Sequence, residues 1–283
     1  MTKYPAMPDA KKLSYLLKLL DDDSPAVREV VLKELMAYGP DLERELLRLD
    51  TPPDDHQKSL IVDLLRERHR ILLKQSWQSW FGLENDYEKL EAALSLLSDY
   101  QSGAAEAGRL KILLDETAAE FASLHARGNP YMLAQFLANR KQLKGADQND
   151  YMNPENSNLF YVFDQKKGIP ISLACVFMLL GKRLGIPVEG CNFPGHFLAR
   201  VRIADRVILV DCYNGWKFID EKDIEYTDAT QDLELVIKTE TPAETIIARV
   251  LTNLVRAYEA AGDEDNSRLM QELLGISGIA YSE

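Results

Sequence analysis

The sequence predicts an α+β protein whose mixed middle lies between helical flanks. Three observations carry this: apolar residues recur at helical spacing from the start to about Tyr100, the period shortens from 3.6 to 2 after His196, and helical spacing returns from Thr241. With 283 residues, 46% hydrophobic and 28% charged, the chain can form two or three packed pieces.

The elements follow in order. In "DDDSPAVREVVLKELMAYGP", Ser24 is placed to cap a helix, Pro25 takes its first position, and Val27, Val30, Val31 and Leu35 form its apolar set before Gly39-Pro40 stops it. The acids of Asp21–Asp23 suit a helix N-terminus. A second helix carries Leu42, Leu46, Leu47 and Leu49, a third Leu60, Ile61, Leu64, Leu65, Ile71 and Leu72, and a fourth Tyr87, Leu90, Leu94 and Leu97. Short Pro and Gly turns between them suggest stacked helical pairs, and "DDDSPAVREVVLKEL" resembles a HEAT repeat. Trp77, Trp80 and Phe81 read as an aromatic plug of the core or of a domain interface rather than a ligand cage.

After the small-residue connector "QSGAAEAG" come two helical stretches, "RLKILLDETAAEFASLHARG" and "PYMLAQFLANR", and then an ordered polar loop, "KGADQNDYMNPENSN". The apolar segment "GIPISLACVFMLLGKRLGIP" reads as a core helix, with Pro170 near its start, Gly185 at its C-cap and Pro187 preventing continuation. "HFLARVR" and "RVILVD" read as an antiparallel hairpin, "WKFID" as a further strand and "LELVIK" as another. From Thr241 two helices break at Gly262-Asp263, a pair that resembles a tetratricopeptide unit. These readings divide the chain into a helical domain 1–104, an α+β core 105–240 and a helical pair 241–283.

Thirty-three Lys and Arg against forty-five Asp and Glu leave a net charge of -12, which argues against nucleic acid or an anionic membrane as partner. The first residues hold scattered charges and no uninterrupted apolar run, and the longest apolar run of the chain, Ile169–Leu180, is interrupted by Ser172 and too short to span a bilayer. The expectation is a soluble, cytoplasmic protein. Cys175, Cys191 and Cys212 show no paired spacing, so free thiols are expected rather than disulfides or zinc ligands. His56, His69 and His125 lack metal-ligand spacing and no nucleotide-binding motif is present, so neither a metal nor a cofactor is expected.

Chemistry enters at the hairpin. A two-residue turn, whether Ala204-Asp205 or Ile203-Ala204, puts His196 and Asp211 on one face, opposite or one diagonal step apart. A carboxylate there would hold the imidazole in one tautomer, the orienting role of nucleophilic triads. A three-residue turn would separate them, and the plain alternative is a half-buried strand histidine and a turn acid. A nucleophile would sit at a helix N-terminus, where unpaired N–H groups stabilise a thiolate, but the helix after Gly168 opens with Pro170, Ile171 and Ser172.

The motifs "MNPENSNLFYVFDQKKG", "GIPISLACVFMLLGKRLGIPVEG", "FPGHFLARV" and "LVDCYNGW" resemble the transglutaminase-like core of bacterial SirB-type proteins, with a tetratricopeptide-like C-terminus, from about Pro130 onward. The resemblance implies a central helix packed on an antiparallel sheet, as in transglutaminases and cysteine proteases. Active members of that wider superfamily open the helix with Gly-x-Cys, a position that falls on Pro170, whereas His196 and Asp211 match the histidine and aspartate. It therefore implies a non-catalytic protein that binds a peptide or protein, with Pro170, Asn156, Asn214 and Trp216 about its cleft. The alternative is a hydrolase or acyltransferase with a displaced nucleophile. Ser172 is turned about 200° from position 170 and suits a first-turn cap, and Cys175 lies about 140° around and a turn deeper, as a small buried hydrophobe. Cys191, five residues before His196, would need a rearranged site.

Overall fold

The computed structural model describes residues 10–20, 22–38, 41–46, 48–49, 55–103, 108–125, 128–204, 206–224 and 231–278. Asp21, Gly39-Pro40, Leu47 and Asp205 lie outside them, as do the side chains of His56, Leu60, Leu64 and Leu65. The chain forms two compact units, one of residues 1–75 with 103–106, the other of 76–102 with 107–283.

The first unit is helical: α1 (Ala10–Lys18), α2 (Pro25–Met36), α3 (Asp41–Leu46) and most of α4 (Asp55–Ser76). Its core gathers Leu13, Leu16, Leu17 and Leu20 with Val31, Leu35, Leu42 and Ile61. In α2 the inward residues are Val31 and Leu35, four apart, while Val30 is 61% exposed because it stands about 100° from Val31. Ser24 occupies the N-cap but makes no capping bond; its own N–H donates to the Asp22 carboxylate at 2.9 Å. In α4 Leu73 is buried, as Ile61 is, while Ile71 and Leu72 face outward.

The second unit begins with Trp77 and Trp80, both buried in a single 3-10 turn, their rings edge-to-face at 5.8 Å. Then come α5 (Asp86–Ser102), α6 (Arg109–Leu124), α7 (Pro130–Gln135), β1 (Lys144–Gly145), α8 (Leu159–Gln165), β2 (Lys167–Gly168) and α9 (Pro170–Leu184). Strands β3 (Glu189–Cys191), β4 (Leu198–Ile203), β5 (Arg206–Asp211) and β6 (Lys217–Asp220) follow, then α10 (Gln231–Lys238), α11 (Ala243–Ala260) and α12 (Glu264–Ile276). Helix α5, read from sequence as the last of the N-terminal domain, packs instead on α11, α8, α6 and α9, and the C-terminal pair belongs to the same unit.

Helix α9 is the axis of this unit. Every residue from Pro170 to Gly181 is buried, as an apolar surface on all sides requires, and each large side chain contributes about 1.5–3 kcal/mol of burial. Its start is set by Pro170, whose fixed φ suits the first helical position. At its end Gly185 adopts φ 65° and Ile186 N–H reaches back to Gly181 carbonyl at 2.8 Å, so the chain turns sharply toward β3. That turn-back is close enough that a Cβ at Gly181 would lie 2.6 Å from the Ile186 carbonyl oxygen.

The sheet is an antiparallel meander in the order β3-β4-β5-β6, and α9 packs against β3 and β4. Glu189 pairs with Arg200 across β3 and β4, and the buried Arg200 guanidinium also donates to Ile237 and Thr239 carbonyls at 2.8 and 2.6 Å. Those carbonyls close α10, the segment "LELVIK" that sequence alternation assigns to a strand. The alternation misleads because Leu233, Val236 and Ile237 turn inward at i, i+3 and i+4, leaving Leu235 69% exposed.

Candidate functional site

The hairpin register pairs Ile203 with Arg206, so two residues make the turn and Ala199 faces Val210. Extending it puts His196 one diagonal step from Asp211, and their side chains meet: His196 Nε2 lies 2.8 Å from Asp211 Oδ1. The same carboxylate accepts the Asn214 N–H at 3.0 Å and the Asn214 amide at 2.8 Å. Burial pushes the Asp211 carboxyl up, but the Asn214 and His196 hydrogen bonds outweigh it and hold the carboxyl below its ordinary range. An ionised Asp211 only accepts, which places the imidazole hydrogen on Nε2 and leaves Nδ1 as the basic nitrogen. The ring also stands edge-on to Tyr213 at 6.0 Å, and Tyr213 donates to Ala146 carbonyl at 2.5 Å.

Among the described residues no thiol or hydroxyl is hydrogen-bonded to His196. Cys175 is fully buried on α9, and burial pushes its thiol up to about 12. Burial likewise pushes Cys191 up to about 11, against a weaker opposing pull from Arg200, and its Sγ faces Val236 carbonyl at 3.9 Å. Cys212 faces Val210 carbonyl at 3.8 Å, and burial and the Asp211 charge both raise its thiol. Burial thus disfavours the thiolate at all three. Ser172 does not cap its own helix turn: its buried hydroxyl donates to Asn156 carbonyl at 2.8 Å, tying α9 to the loop before it.

That loop is built from its asparagines. Asn153 accepts Glu155 N–H, Asn156 donates to Asp150 carbonyl at 2.5 Å, and Asn158 accepts Phe160 N–H at the start of α8. Of the residues read as surrounding a cleft, Asn156 is thus a buried tie and Asn214 the support of Asp211. Trp216 is a core side chain that donates to Leu143 carbonyl at 2.9 Å and packs edge-on against Phe177. Pro170 alone of the four lines the main cavity.

This cavity, of about 670 Å³, opens where α9 begins. One wall is the start of α9 with Ile169, Pro170 and Ile171, another the loop around His196 with Pro194, Gly195 and Phe197, and a third one face of α11. That face is a polar stripe of Thr245, Arg249, Thr252 and Arg256, at i, i+4, i+7 and i+11, beside the buried apolar stripe of Ile246, Val250 and Leu254. Arg249 donates to Asn192 Oδ1 at 2.5 Å and Phe193 carbonyl at 2.8 Å, with its guanidinium over the Phe197 ring. Burial, and to a smaller degree the charge of Arg256, lower its affinity for its proton, and Tyr151 opposes them. Neither arginine was singled out in the sequence, although the stripe in "AETIIARVLTNLVRAYEA" is readable. Among the described residues no group of three or more His, Cys, Asp or Glu could hold a metal ion.

Comparison with known proteins gives a consistent match. Residues 107–252 match the transglutaminase-like superfamily, beginning further upstream than the motifs suggest and ending within α11. A UPF0162 protein of Pseudomonas aeruginosa is 33% identical over 213 residues, covering 68% of this chain and 74% of that protein. A UPF0162 protein of Xylella fastidiosa is 36% identical over 120 residues, 40% of this chain, and the match spans 43% of the relative's own length. Human F-box only protein 21 is 26% identical over 143 residues, 47% of this chain but 22% of its own. No solved structure matches.

Proposed function

The chain belongs to the transglutaminase-like superfamily, and from that premise we propose that it is a non-catalytic member whose cleft binds a peptide or a segment of another protein. The observation that carries this reading is the oriented His196–Asp211 pair, to which no thiol or hydroxyl is hydrogen-bonded among the described residues, with Pro170 at the position the family pattern gives to cysteine. Proline offers no attacking atom, and burial disfavours the thiolate at all three cysteines. A base with nothing to deprotonate performs no acyl transfer.

The cavity beside the pair supports binding: at about 670 Å³ it falls within the range of ligand-sized clefts and mixes apolar walls with a polar stripe. The similar segment in F-box only protein 21 makes up a minor part of that chain, which supports a core used as a module alongside other parts. Among the described residues no helix is long and apolar enough to cross a membrane. The HEAT-like and tetratricopeptide-like readings of the flanks belong to the same proposal, as further protein-binding surfaces.

The test is thiol chemistry. Iodoacetamide at neutral pH should modify the native chain slowly at all three cysteines and the urea-unfolded chain rapidly, with no change in His196→Ala. Rapid, stoichiometric labelling of one cysteine in the native protein, lost in His196→Ala, would overturn the non-catalytic reading in favour of a hydrolase or acyltransferase.

A further inference from the structure

We propose that the cleft is selective for acidic peptide segments, seating a carboxylate between Arg249 and Arg256. This deepens the binding reading above and rests on it.

In a chain of net charge -12, several arginines of this unit meet a carboxylate, among them Arg183 with Glu91 and Asp115, Arg200 with Glu189, and Arg206 with Asp220. Arg249 is different, because Asn192 Oδ1 and Phe193 carbonyl fix it in place with neutral oxygens and leave its charge uncompensated. Arg256 forms no ion pair among the described residues, and no Asp or Glu is among the described residues that line the cavity. Two guanidinium groups seven residues apart on one face of α11 therefore repel each other across a space only an anion would neutralise. The start of α9, a helix of 15 residues, adds the positive end of its dipole to the same space.

The remaining walls say what carries the anion. The cavity is many times the roughly 30 Å³ of a water, so a lone inorganic ion would leave most of it empty. Ile169 and Phe197 offer apolar contact, while Thr245 and Asn253 offer hydrogen bonds of the kind a peptide backbone makes. Guanidinium pairs bind carboxylates in two-pronged geometry, whether from Asp or Glu side chains or from a chain terminus.

The experiment passes two random heptapeptide libraries, one with free C-terminal carboxylates and one amidated, over the immobilised full-length chain and sequences what is retained. Retained peptides should be enriched about tenfold in Asp and Glu, or in free over amidated termini, and the two libraries separate those carboxylate sources. Enrichment should fall to the input level in Arg256→Glu, whose exposed site leaves the thermal midpoint unchanged, and in Arg249→Gln. A neutral or basic retained pool, or an acidic one that persists in both variants, overturns the selectivity while leaving the cleft a binding site. An acidic pool released as cleaved fragments does the reverse, keeping the selectivity and ending the non-catalytic reading. Retention of nothing overturns both.

Discussion

Asp211 is the residue on which the site's geometry converges, with one imidazole and two Asn214 donors on a single carboxylate. Its folded pKa is depressed, so the stability it contributes is fully present above its unfolded value of about 3.9 and is lost as pH falls through the lower folded value. Replacing Asp211 with Asn turns an amide toward the Asn214 donors and costs about 1–3 kcal/mol at pH 7. Urea unfolding of both proteins from pH 7 to pH 3 should show that difference shrinking below about pH 4. A gap that stays constant through that range would mean the carboxylate is not held ionised by these bonds. The His196–Asp211 contact was legible in the sequence because strand pairing is arithmetic: once the turn holds two residues, the diagonal is fixed. Arg249 and Arg256 were not, although their spacing was visible, because a stripe on a helix says nothing of what faces it. Trp216, expected about the cleft, has a left-handed backbone at φ 59° and its ring lies in the core.

At the scale of elements, the helices of the core and the hairpin followed from their periods, and α9 from its apolar length and its Pro and Gly ends. Helix α10 did not, since eight residues hold too few turns to separate period 3.6 from period 2. What fixes α10 is a long-range contact that no local pattern contains. Arg200, in the middle of β4 and 1% exposed, bridges Glu189 on β3 to the carbonyls that end α10. Removing one partner of such a buried pair leaves a carboxylate and two carbonyls without their donor. Arg200→Ala should therefore lower the unfolding free energy by about 3–5 kcal/mol. Arg200→Lys should recover only part of it, since a single ammonium cannot span acceptors that a planar fork reaches together. Denaturant midpoints for the two variants check this. Equal stability of Arg200→Ala and the parent would show that α10 is anchored by the apolar cluster that Val236 and Ile237 share with the sheet.

At the scale of the whole second unit, the boundary read at Thr241 separates a core from a helical pair, yet α11 packs on α5, on α9 and on the turn at Pro154–Ser157. The composition gave no sign of this, because an apolar stripe on a terminal helix is satisfied equally by its neighbour in a pair or by a core. Since α11 also supplies the arginine wall of the cleft, the site exists only while the pair and the core are folded together. This predicts one cooperative unit. Gly181→Ala places a methyl 2.6 Å from the Ile186 carbonyl at the far end of α9 and does not touch α11. Overpacking of this kind costs about 1–3 kcal/mol. If the pair and the core unfold as one, the slowest-exchanging amides of α9 and of α11 should both lose protection, by the same factor, in hydrogen exchange read by mass spectrometry. If α11 keeps its protection while α9 loses it, the helical pair is a separate folding unit after all, and the cleft would then be an interface able to open without unfolding either side.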